Sequence, residues 1–240
     1  MELKIGEKVV GDGYPVLLIA EAGINHNGNI DIAHKLIDAA SNAGADAVKF
    51  QTFITEECVH PDCPRPSHER SNIMEDISHF DLVKKWELPF NEFKNLKKHA
   101  EERNILFIST PYDLQSTKYL INLDCAAIKI ASAEMVNLPM LDLVRRANTP
   151  ILLSTGMNKW SEIVESVDFL KEYTEKICIL KCTSNYPASP GSINLNGITK
   201  LKTKYPNTLV GFSDHTEGSQ IGLASLGFGT NIIERHFTLD

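Results

Sequence analysis

Two segments, Leu209-Val-Gly-Phe-Ser-Asp-His215 and Asn231-Ile-Ile-Glu-Arg-His-Phe-Thr238, decide the fold of this chain. Each begins as an apolar run and ends in polar residues, which is typical of a buried strand that reaches the edge of a sheet. A short Gly-rich helix, residues 218–229, is predicted between them. Parallel strands joined by such a crossover are neighbours in one sheet, so His215 and His236 are expected at the same end of it.

The same alternation of strand and helix extends outward over most of the chain. Six more apolar runs are predicted to be strands: Val16–Glu21, Ala47–Gln51, Ile105–Thr110, Ala127–Ser132, Ile151–Thr155 and Ile177–Thr183. Helical periodicity precedes Gly44 and returns over residues 78–87, 89–103, 114–123, 138–147, 161–173 and 195–205. Eight strands alternating with helices predict an α/β fold with a closed parallel sheet, the (β/α)8 TIM barrel. A doubly wound open sheet is the alternative, but no Gly-x-Gly-x-x-Gly turn follows the first strand.

Three regions depart from this alternation. Residues 2–10 alternate in polarity ahead of Gly11-Asp12-Gly13, which predicts a short N-terminal hairpin. Residues 52–77 form a long irregular stretch with Pro61, Pro64 and Pro66. Loops of this length in compact domains often have a functional role. The chain stops at Asp240, directly after the eighth strand. We therefore expect a single truncated barrel domain over residues 1–240, with an uncovered apolar face beside the first and last strands.

Composition excludes several classes of partner. The chain has 240 residues, 42% apolar content and a net charge of −7, which suit a single large domain. Nucleic acids and anionic membranes are poor partners, because both need a clustered positive surface and the sequence has no basic block. No segment is long and apolar enough to span a bilayer, and the first residues are not a signal peptide. The five cysteines, an odd number, fit reduced thiols in a cytoplasmic protein.

The chemistry of such a barrel is expected at the carboxyl ends of its strands. Lys49 and Lys129 each interrupt an apolar strand, where a charge is costly unless it is paired or functional. Two lysines among strand-end hydroxyls can hold a small, strongly anionic ligand such as a phosphate ester. Glu21 and Glu134, at the same end, can manage protons or stabilise a cationic transition state. Glu21 can equally be the ion-pair partner of either lysine, and lone serines at strand ends are more often caps than ligands.

Histidines and cysteines suggest two metal sites of unequal merit. His215 and His236 can share one ion, and a site with few protein ligands leaves room for substrate. Taken singly, each of these histidines is better explained as a strand-end residue that hydrogen-bonds to the backbone. Asp214 can orient His215 or act as a third ligand. A zinc-like group, Cys58-x-His60-x2-Cys63 with His68, has interleaved prolines and unusual spacing, which favour a loop over a metal site.

Seven motifs occur in order at the predicted strand ends. They are Glu21-Ala-Gly-Ile-Asn-His-Asn-Gly28, Ala45-Asp-Ala-Val-Lys-Phe-Gln51, Ser109-Thr-Pro111, Lys129-Ile-Ala-Ser132, Ser154-Thr-Gly-Met157, Gly211-Phe-Ser-Asp-His-Thr216 and Glu234-Arg-His-Phe-Thr-Leu-Asp240. Together they resemble the successive signatures of the sialic acid synthase family, whose fold is a (β/α)8 barrel. The resemblance implies condensation of phosphoenolpyruvate with an N-acetylated hexosamine to give a nonulosonic (sialic-type) acid and phosphate. The sugar stays open between N-acetylmannosamine and diacetylated dideoxy analogues.

The same resemblance implies roles for individual residues. His215 and His236 resemble the ligands of a divalent metal, Mn²⁺ or else Mg²⁺ or Co²⁺. The expected phosphoenolpyruvate contacts are Lys49, Thr110, Lys129, Ser132, Ser154, Ser184 and Ser213. Gln51, Glu134 and Tyr186 resemble the sugar contacts, and Glu21 resembles the acid/base carboxylate. In the family an antifreeze-like C-terminal domain follows the barrel and reaches the partner's active site, which implies a homodimer for the full-length form; these 240 residues do not include that domain.

Two other functions fit the same residues. Lys129 can serve a Schiff-base aldolase, in which a buried lysine amine forms a covalent adduct with a carbonyl substrate. The other alternative is a barrel without catalytic activity, which acts as a binding module or as a fragment that joins a complementary chain.

Overall fold

Eight parallel strands close into a barrel in the computed structural model, which describes residues 1–65 and 77–239. The antiparallel strands β1 (Glu2–Ile5) and β2 (Lys8–Gly11) precede it. The barrel strands are β3 (Leu17–Gly23), β4 (Ala47–Thr52), β5 (Leu106–Pro111), β6 (Ala127–Ile130), β7 (Ile151–Ser154), β8 (Ile177–Cys182), β9 (Leu209–Asp214) and β10 (Ile232–His236). Each strand pairs with the next along the chain, and β10 closes the ring on β3. The predicted (β/α)8 barrel is confirmed.

Helices surround the barrel where the apolar periodicity predicts them. They are α1 (Ile30–Asn42), α2 (Thr55–Cys58), α3 (His79–Trp86), α4 (Phe90–Glu102), α5 (Leu114–Asn122), α6 (Leu138–Arg145), α7 (Trp160–Lys171), α8 (Asn196–Lys204) and α9 (Gln220–Leu226). Across the two described ranges, none of them combines the length and the apolar character that crossing a membrane requires.

Local hydrogen bonds set where individual helices begin and end. The side chain of Asn29 accepts hydrogen bonds from the first turn of α1, and Gly44 follows its end with φ +79°. Helix α7 was predicted to begin at residue 161, but Ser161 is neither its first residue nor its cap. The helix begins earlier, with Lys159 as the N-cap, because the Glu162 carboxylate accepts a hydrogen bond from the Lys159 backbone N–H at 2.6 Å.

The N-terminal hairpin closes the amino-terminal end of the barrel. Its chain reversal lies at Gly6-Glu7, with Gly6 at φ +55°, because the pairing of Ile5 with Lys8 leaves a two-residue loop there. The predicted turn at residues 11–13 instead leads from β2 into the barrel. Ile5 is completely buried, and it joins Leu3, Val10 and the bases of the barrel strands in one apolar cluster.

Inside the barrel, an apolar floor lies beneath a polar layer. Strand alternation sends every second side chain inward. The floor consists of Leu17, Ile19, Ala47, Ile108, Ala127, Leu152, Cys178, Leu180, Leu209 and Ile232. Two residues further along each strand, or four in β9, the inward position carries a polar or thiol side chain: Glu21, Lys49, Thr110, Lys129, Ser154, Cys182, Ser213 and Glu234. Each strand therefore contributes one polar or thiol side chain above the apolar floor.

A second apolar cluster fills the space between the strands and the helices. It includes Leu36 on α1, Leu96 on α4 and Leu120 on α5, all completely buried. Burial of each such side chain stabilises the fold by about 1.5 to 3 kcal/mol. The apolar run of the first barrel strand is not buried throughout, because the outward side chain of Leu18 is 45% exposed. The exposure matches the uncovered face expected beside the first strand.

The predicted irregular stretch after β4 contains a short helix, α2. Two hydrogen bonds fix its first residue, Thr55. Glu87 Oε2 accepts both, from Thr55 N at 2.8 Å and from Thr55 Oγ1 at 2.7 Å. Asp113 Oδ2 accepts another from Ile54 N at 2.9 Å. Pro66 and His68 of this stretch lie outside the described residues, as does Asp240.

Candidate active site

The carboxyl ends of the barrel strands surround a cavity of about 260 Å³. Twelve predicted site residues line it: Glu21, Lys49, Gln51, Thr110, Lys129, Ser132, Ser154, Ser184, Tyr186, Ser213, His215 and His236. A larger cavity, of about 420 Å³, lies beside the hairpin at the opposite end of the barrel. Its charged lining residues, such as Lys4 and Glu7, are solvent-accessible, whereas the charged groups of the mouth cavity are buried. Buried, convergent charges mark functional sites, so the mouth cavity is the candidate active site.

Four charged side chains form one buried network in this cavity. Lys49 Nζ lies 2.8 Å from Glu21 Oε2 and 3.8 Å from Glu234 Oε2. Lys129 Nζ lies 3.4 Å from Glu234 Oε1, and none of the four side chains is more than 5% exposed. Each buried lysine thus has an ion-pair partner, and the pairing of Glu21 with a lysine is found for Lys49.

The surroundings push the pKa values of the two carboxyls apart. Burial raises the pKa of Glu21 more than the Lys49 ammonium lowers it, and the negative charge of Glu234 raises it further. Burial also acts against the ionised form of Glu234, but Lys129 and Lys49 outweigh it and lower the pKa to about 2. Glu234 therefore stays ionised, while Glu21 is the carboxyl that can hold a proton.

The two lysines differ in the same way. For Lys49, burial acts against the charged form, but the negative charges of Glu21 and Glu234 outweigh it and raise the pKa. For Lys129, burial lowers the pKa, and the attraction of Glu234 offsets only part of that effect. The charge of Lys129 therefore depends on one carboxylate more than that of Lys49 does.

Hydroxyl groups complete the wall of the cavity. Thr110 Oγ1 accepts a hydrogen bond from Lys49 Nζ at 2.9 Å, and the hydroxyls of Ser132 and Ser184 lie 3.0 Å apart. Ser154 Oγ is buried and has no hydrogen-bond partner among the described residues. A buried hydroxyl without a partner costs about 1 to 3 kcal/mol, so this group is suited to bond a ligand in the cavity.

His215 and His236 lie together at the cavity, with their ring centroids 5.5 Å apart. His215 Nδ1 lies 2.8 Å from the carbonyl oxygen of Thr183, which assigns the proton to Nδ1 and leaves a lone pair on Nε2. Burial lowers the pKa of both rings, to about 4 for His236, so both are neutral near neutral pH. Two neutral imidazoles side by side are a donor set that fits a divalent metal ion. The shared position is confirmed, and metal binding stays a prediction.

The aromatic ring of Tyr186 lies against the two histidines. Its centroid is 4.1 Å from that of His215 and 5.6 Å from that of His236, and the side chain is 55% exposed. Gln51 Nε2 donates a hydrogen bond to Glu21 Oε1 at 3.3 Å. Of the predicted sugar contacts, Tyr186 thus lies beside the histidines, and Gln51 lies beside Glu21, the predicted acid/base carboxylate.

Asp214 does not fill either role predicted for it. Its Oδ1 accepts hydrogen bonds from Thr216 N and Oγ1, and its Oδ2 lies 3.0 Å from Arg235 Nη1. Among the described residues it makes no hydrogen bond with His215. The reason is strand alternation, which turns Ser213 inward and Asp214 outward toward α9.

Glu134, like Asp214, is a predicted site residue that does not line the cavity. It lies in a 3₁₀ turn, Ser132–Glu134, and its Oε2 accepts a hydrogen bond from Asn137 Nδ2 at 2.7 Å. Because β6 ends at Ile130, the chain leaves the inward line of the strand before Glu134. Its role as a sugar contact stays a prediction.

Six cavity residues were missed by the sequence analysis: Tyr112, Ala131, Ala133, Met157, Cys182 and Glu234. Glu234 is the most important, because it contacts both lysines. Its signal was present in the sequence, since it lies two residues before His236 and two after Ile232 and therefore shares their face of the strand.

The zinc-like group around Cys58 has no matching geometry. The thiols of Cys58 and Cys63 lie 3.8 Å from the backbone carbonyl oxygens of Thr55 and Pro64 respectively. Within residues 1–65 and 77–239, no three His, Cys, Asp or Glu side chains are arranged to hold a metal ion. All five cysteines of the chain are free, and Cys125, Cys178 and Cys182 are buried.

Known proteins resemble this chain over its whole length. N,N'-diacetyllegionaminic acid synthase of Campylobacter jejuni is 41% identical over 227 residues, which are 93% of this chain and 68% of that protein. The synthase of the same name from Legionella pneumophila is 36% identical over 240 residues, covering 98% of this chain and 67% of that protein. The crystal structure of N-acetylneuraminic acid (sialic acid) synthetase from Leptospira borgpetersenii, in complex with citrate, matches with a TM-score of 0.88 and 34% identity.

That structure covers 100% of this chain, and the match covers 79% of that one. The chain spans about two thirds of the length of the two synthases it matches. A sequence model of the NeuB family matches residues 36–240. With more than half of its residues matched by this family model, the chain belongs to the NeuB family.

Proposed function

We propose that this chain carries the catalytic site of a nonulosonic acid synthase, which condenses phosphoenolpyruvate with an N-acetylated hexosamine. The sugar is N-acetylmannosamine or a diacetylated dideoxy analogue. The observation that carries the proposal is the pair of buried lysines, Lys49 and Lys129, in a hydroxyl-lined cavity beside two neutral histidines. Relatives named as legionaminic acid and sialic acid synthases support it.

The lysines and hydroxyls bind the anionic substrate. Phosphoenolpyruvate carries a phosphate and a carboxylate, and two ammonium groups can each attract one of them as point charges. The hydroxyls of Thr110, Ser132, Ser154 and Ser184 offer donors to the remaining oxygens. Ser213 is also proposed to contact the anion, although its hydroxyl donates to Glu234. Because the cavity is closed below by the apolar floor, these interactions act with little screening by water.

Glu21 is the proposed general acid/base. Its raised pKa and its contact with Lys49 allow the carboxyl to hold a proton or to release one within the cavity. As an anion it also stabilises positive charge that develops on the reacting carbon. Glu234, with its lowered pKa, stays a fixed negative charge.

His215 and His236 are the residues that would hold a divalent metal, Mn²⁺ or else Mg²⁺ or Co²⁺. Such an ion, when bound, supplies Lewis-acid polarisation of the carbonyl oxygen of the sugar. Gln51, Tyr186 and Glu134 are proposed to contact the sugar. Tyr186 lies against the ring of His215, which places its hydroxyphenyl group at the edge of the cavity.

The reaction balances without a redox partner. The enol carbon of phosphoenolpyruvate forms a bond to the aldehyde carbon of the sugar, and the aldehyde oxygen takes up a proton. Water adds to the carbon that bears the phosphate ester. The C–O bond to phosphate then breaks, so that the products are a 2-keto sugar acid and inorganic phosphate.

A phosphate-release assay tests the proposal. We expect release only when phosphoenolpyruvate, an N-acetyl sugar and a divalent metal are all present, with the sugar varied among N-acetylmannosamine and the diacetylated dideoxy analogues. Lys49→Met should abolish release, whereas Lys118→Met, on the outer helix α5, should leave it unchanged. Release without the sugar, or no release with any of these sugars, would count against the proposal.

A Schiff-base aldolase is the second candidate, because burial lowers the pKa of Lys129 and a neutral amine is the form that attacks a carbonyl. Borohydride treatment in the presence of a keto acid should then link the substrate covalently to Lys129, with activity persisting in chelator. The contact of Lys129 Nζ with Glu234 favours its charged form and hence the first proposal.

A further inference from the structure

Glu234 is the carboxylate that contacts both buried lysines. Its Oε1 lies 3.4 Å from Lys129 Nζ and its Oε2 lies 3.8 Å from Lys49 Nζ. Ser213 Oγ donates a hydrogen bond to Oε1 at 2.8 Å, and the Glu234 side chain is 5% exposed. Neither the motifs nor the family resemblance gave this residue a role.

The partners of Glu234 all belong to the cavity. A carboxylate that merely supports the fold would be expected to accept hydrogen bonds from backbone N–H groups, as Asp113 does from Ile54 and Ser116. Glu234 accepts from the Ser213 hydroxyl and pairs with the two ammonium groups, and its Oε2 has no hydrogen-bond donor among the described residues. Its position is therefore tied to the site and not to an element end.

The two lysines depend on Glu234 to different degrees. Lys49 Nζ also contacts Glu21 Oε2 at 2.8 Å and Thr110 Oγ1 at 2.9 Å. For Lys129, Glu234 is the one carboxylate within ion-pair distance in the described part of the chain. Without it, the Lys129 ammonium would be buried with no counter-ion, and such a group loses its proton or moves toward water.

Two effects of this carboxylate on an incoming anion oppose each other. Direct repulsion predicts that a negative charge in the cavity weakens anion binding, so that its removal strengthens binding. Support of the lysines predicts the reverse, because an anion binds best to ammonium groups that are already charged and held in place. The burial of Lys129 and its dependence on a single carboxylate make the second effect the larger one.

We propose that Glu234 is a positioning residue that holds the ammonium groups of Lys49 and Lys129 in place at the cavity, so that removing its negative charge weakens anion binding. The inference rests on the proposed function in one respect, namely that the anion is phosphoenolpyruvate. Glu234 itself does not touch the reacting atoms in this account.

Anion titrations test the sign of the effect. Inorganic phosphate and phosphoenolpyruvate are titrated by calorimetry into the unaltered chain and into Glu234→Gln, Glu234→Asp and Glu165→Gln. Glu165 lies on the exposed face of α7, so its variant removes one negative charge away from the cavity. We expect the glutamine variant at position 234 to bind both anions at least about tenfold more weakly, the aspartate variant to lie between, and Glu165→Gln to bind normally.

Each outcome has one meaning. If the unaltered chain binds phosphoenolpyruvate and Glu234→Gln binds it equally well or more tightly, the inference is overturned and the proposed function stands. If the unaltered chain binds neither anion, both are overturned. Circular dichroism checks the fold of each variant; should Glu234→Gln not fold, Glu234→Asp decides, since it keeps the charge but withdraws it from the lysines. Equal or tighter binding by the aspartate variant then overturns the inference.

Discussion

His215 is held by a single strong hydrogen bond, between Nδ1 and the Thr183 carbonyl, and its Nε2 has only a 3.5 Å contact with Ser213 Oγ. That leaves Nε2 available beside the ring of His236. His215→Ala removes one of two predicted ligands, and we expect the affinity for Mn²⁺, measured by calorimetry, to fall by at least about tenfold. His60→Ala, in the exposed loop after α2, is the matched control and should bind Mn²⁺ normally. Unchanged affinity in His215→Ala would contradict the metal assignment.

His26 gives a pH dependence of stability that is separate from the cavity. The side chain is 1% exposed, Nδ1 accepts a hydrogen bond from Gly28 N at 3.0 Å, and Nε2 has no partner among the described residues. Burial lowers the pKa of His26 to about 4, from about 6.5 in an unfolded chain. The unfolded chain takes up a proton that the folded protein excludes, so stability is full above the unfolded pKa and is lost as the pH falls toward the folded one.

The expected size of this loss can be measured by urea unfolding. Between roughly pH 7.5 and pH 5, the free energy of unfolding should fall by about 2 kcal/mol more in the unaltered chain than in His26→Leu. The leucine variant lacks the bond to Gly28 at every pH, so only the difference in slope is compared. Parallel pH profiles for the two proteins would show that folding does not lower the pKa of His26.

Sequence patterns predicted single site residues where a residue conflicts with its surroundings. Lys49 and Lys129 could be predicted because a lysine inside an apolar run needs a partner. Glu234 was missed because it reads as the polar end of a strand, and its contact with two lysines arises only when β10 closes on β3. Asp214 was misplaced because nearness to His215 in sequence was given more weight than strand alternation.

Asp113 joins two elements through one buried carboxylate. It caps α5 by accepting hydrogen bonds from Ser116 N and Oγ, and it also accepts one from Ile54 N, before α2. Asn29 caps α1 alone and is more exposed. We expect Asp113→Ala to lower the free energy of unfolding by about 2 to 4 kcal/mol and Asn29→Ala by about 1 kcal/mol. Equal losses in urea unfolding would show that the link to Ile54 adds nothing.

Element types followed from periodicity, but element ends did not. Caps are decided by local hydrogen bonds, so α7 begins at Trp160 after the Lys159–Glu162 bond forms, although Ser161 is the better cap by residue type. The end of β6 at Ile130 likewise depends on the turn that follows, and this shift moved Glu134 off the cavity wall. Each error shifts an element end by only one or two residues. Such a shift is enough to change the direction in which a side chain points.

We expect the stability of the whole barrel to depend on the N-terminal hairpin, which closes its base. Ile5 is completely buried in the floor cluster, whereas Val9 on the adjacent strand is 38% exposed. Ile5→Ala should lower the free energy of unfolding by about 2 to 5 kcal/mol, because it opens a cavity beneath the polar layer. Val9→Ala should change it by less than about 0.5 kcal/mol. Similar urea midpoints for the two variants would mean that the hairpin is not part of the cooperative unit.

The architecture was the most predictable level, because eight apolar runs in regular alternation with helices leave few topologies. The ring closure of β10 on β3 and the parallel pairing agree with that expectation. The burial of the hairpin against the base of the barrel was not predicted, since its apolar cluster includes Ile108, Cys178 and Ile232, which lie far from it along the chain.

Because the barrel is closed at its base, ligands enter and leave the cavity through the same opening. Along β10, Glu234 precedes His236 by two residues, so its backbone lies about 7 Å nearer the base along the strand than that of His236. A ligand that binds near Glu234 must therefore enter before one that binds near His236. The product formed from the deeper ligand leaves last. For the proposed reaction, steady-state kinetics should accordingly be ordered, with inorganic phosphate competing against phosphoenolpyruvate and not against the sugar.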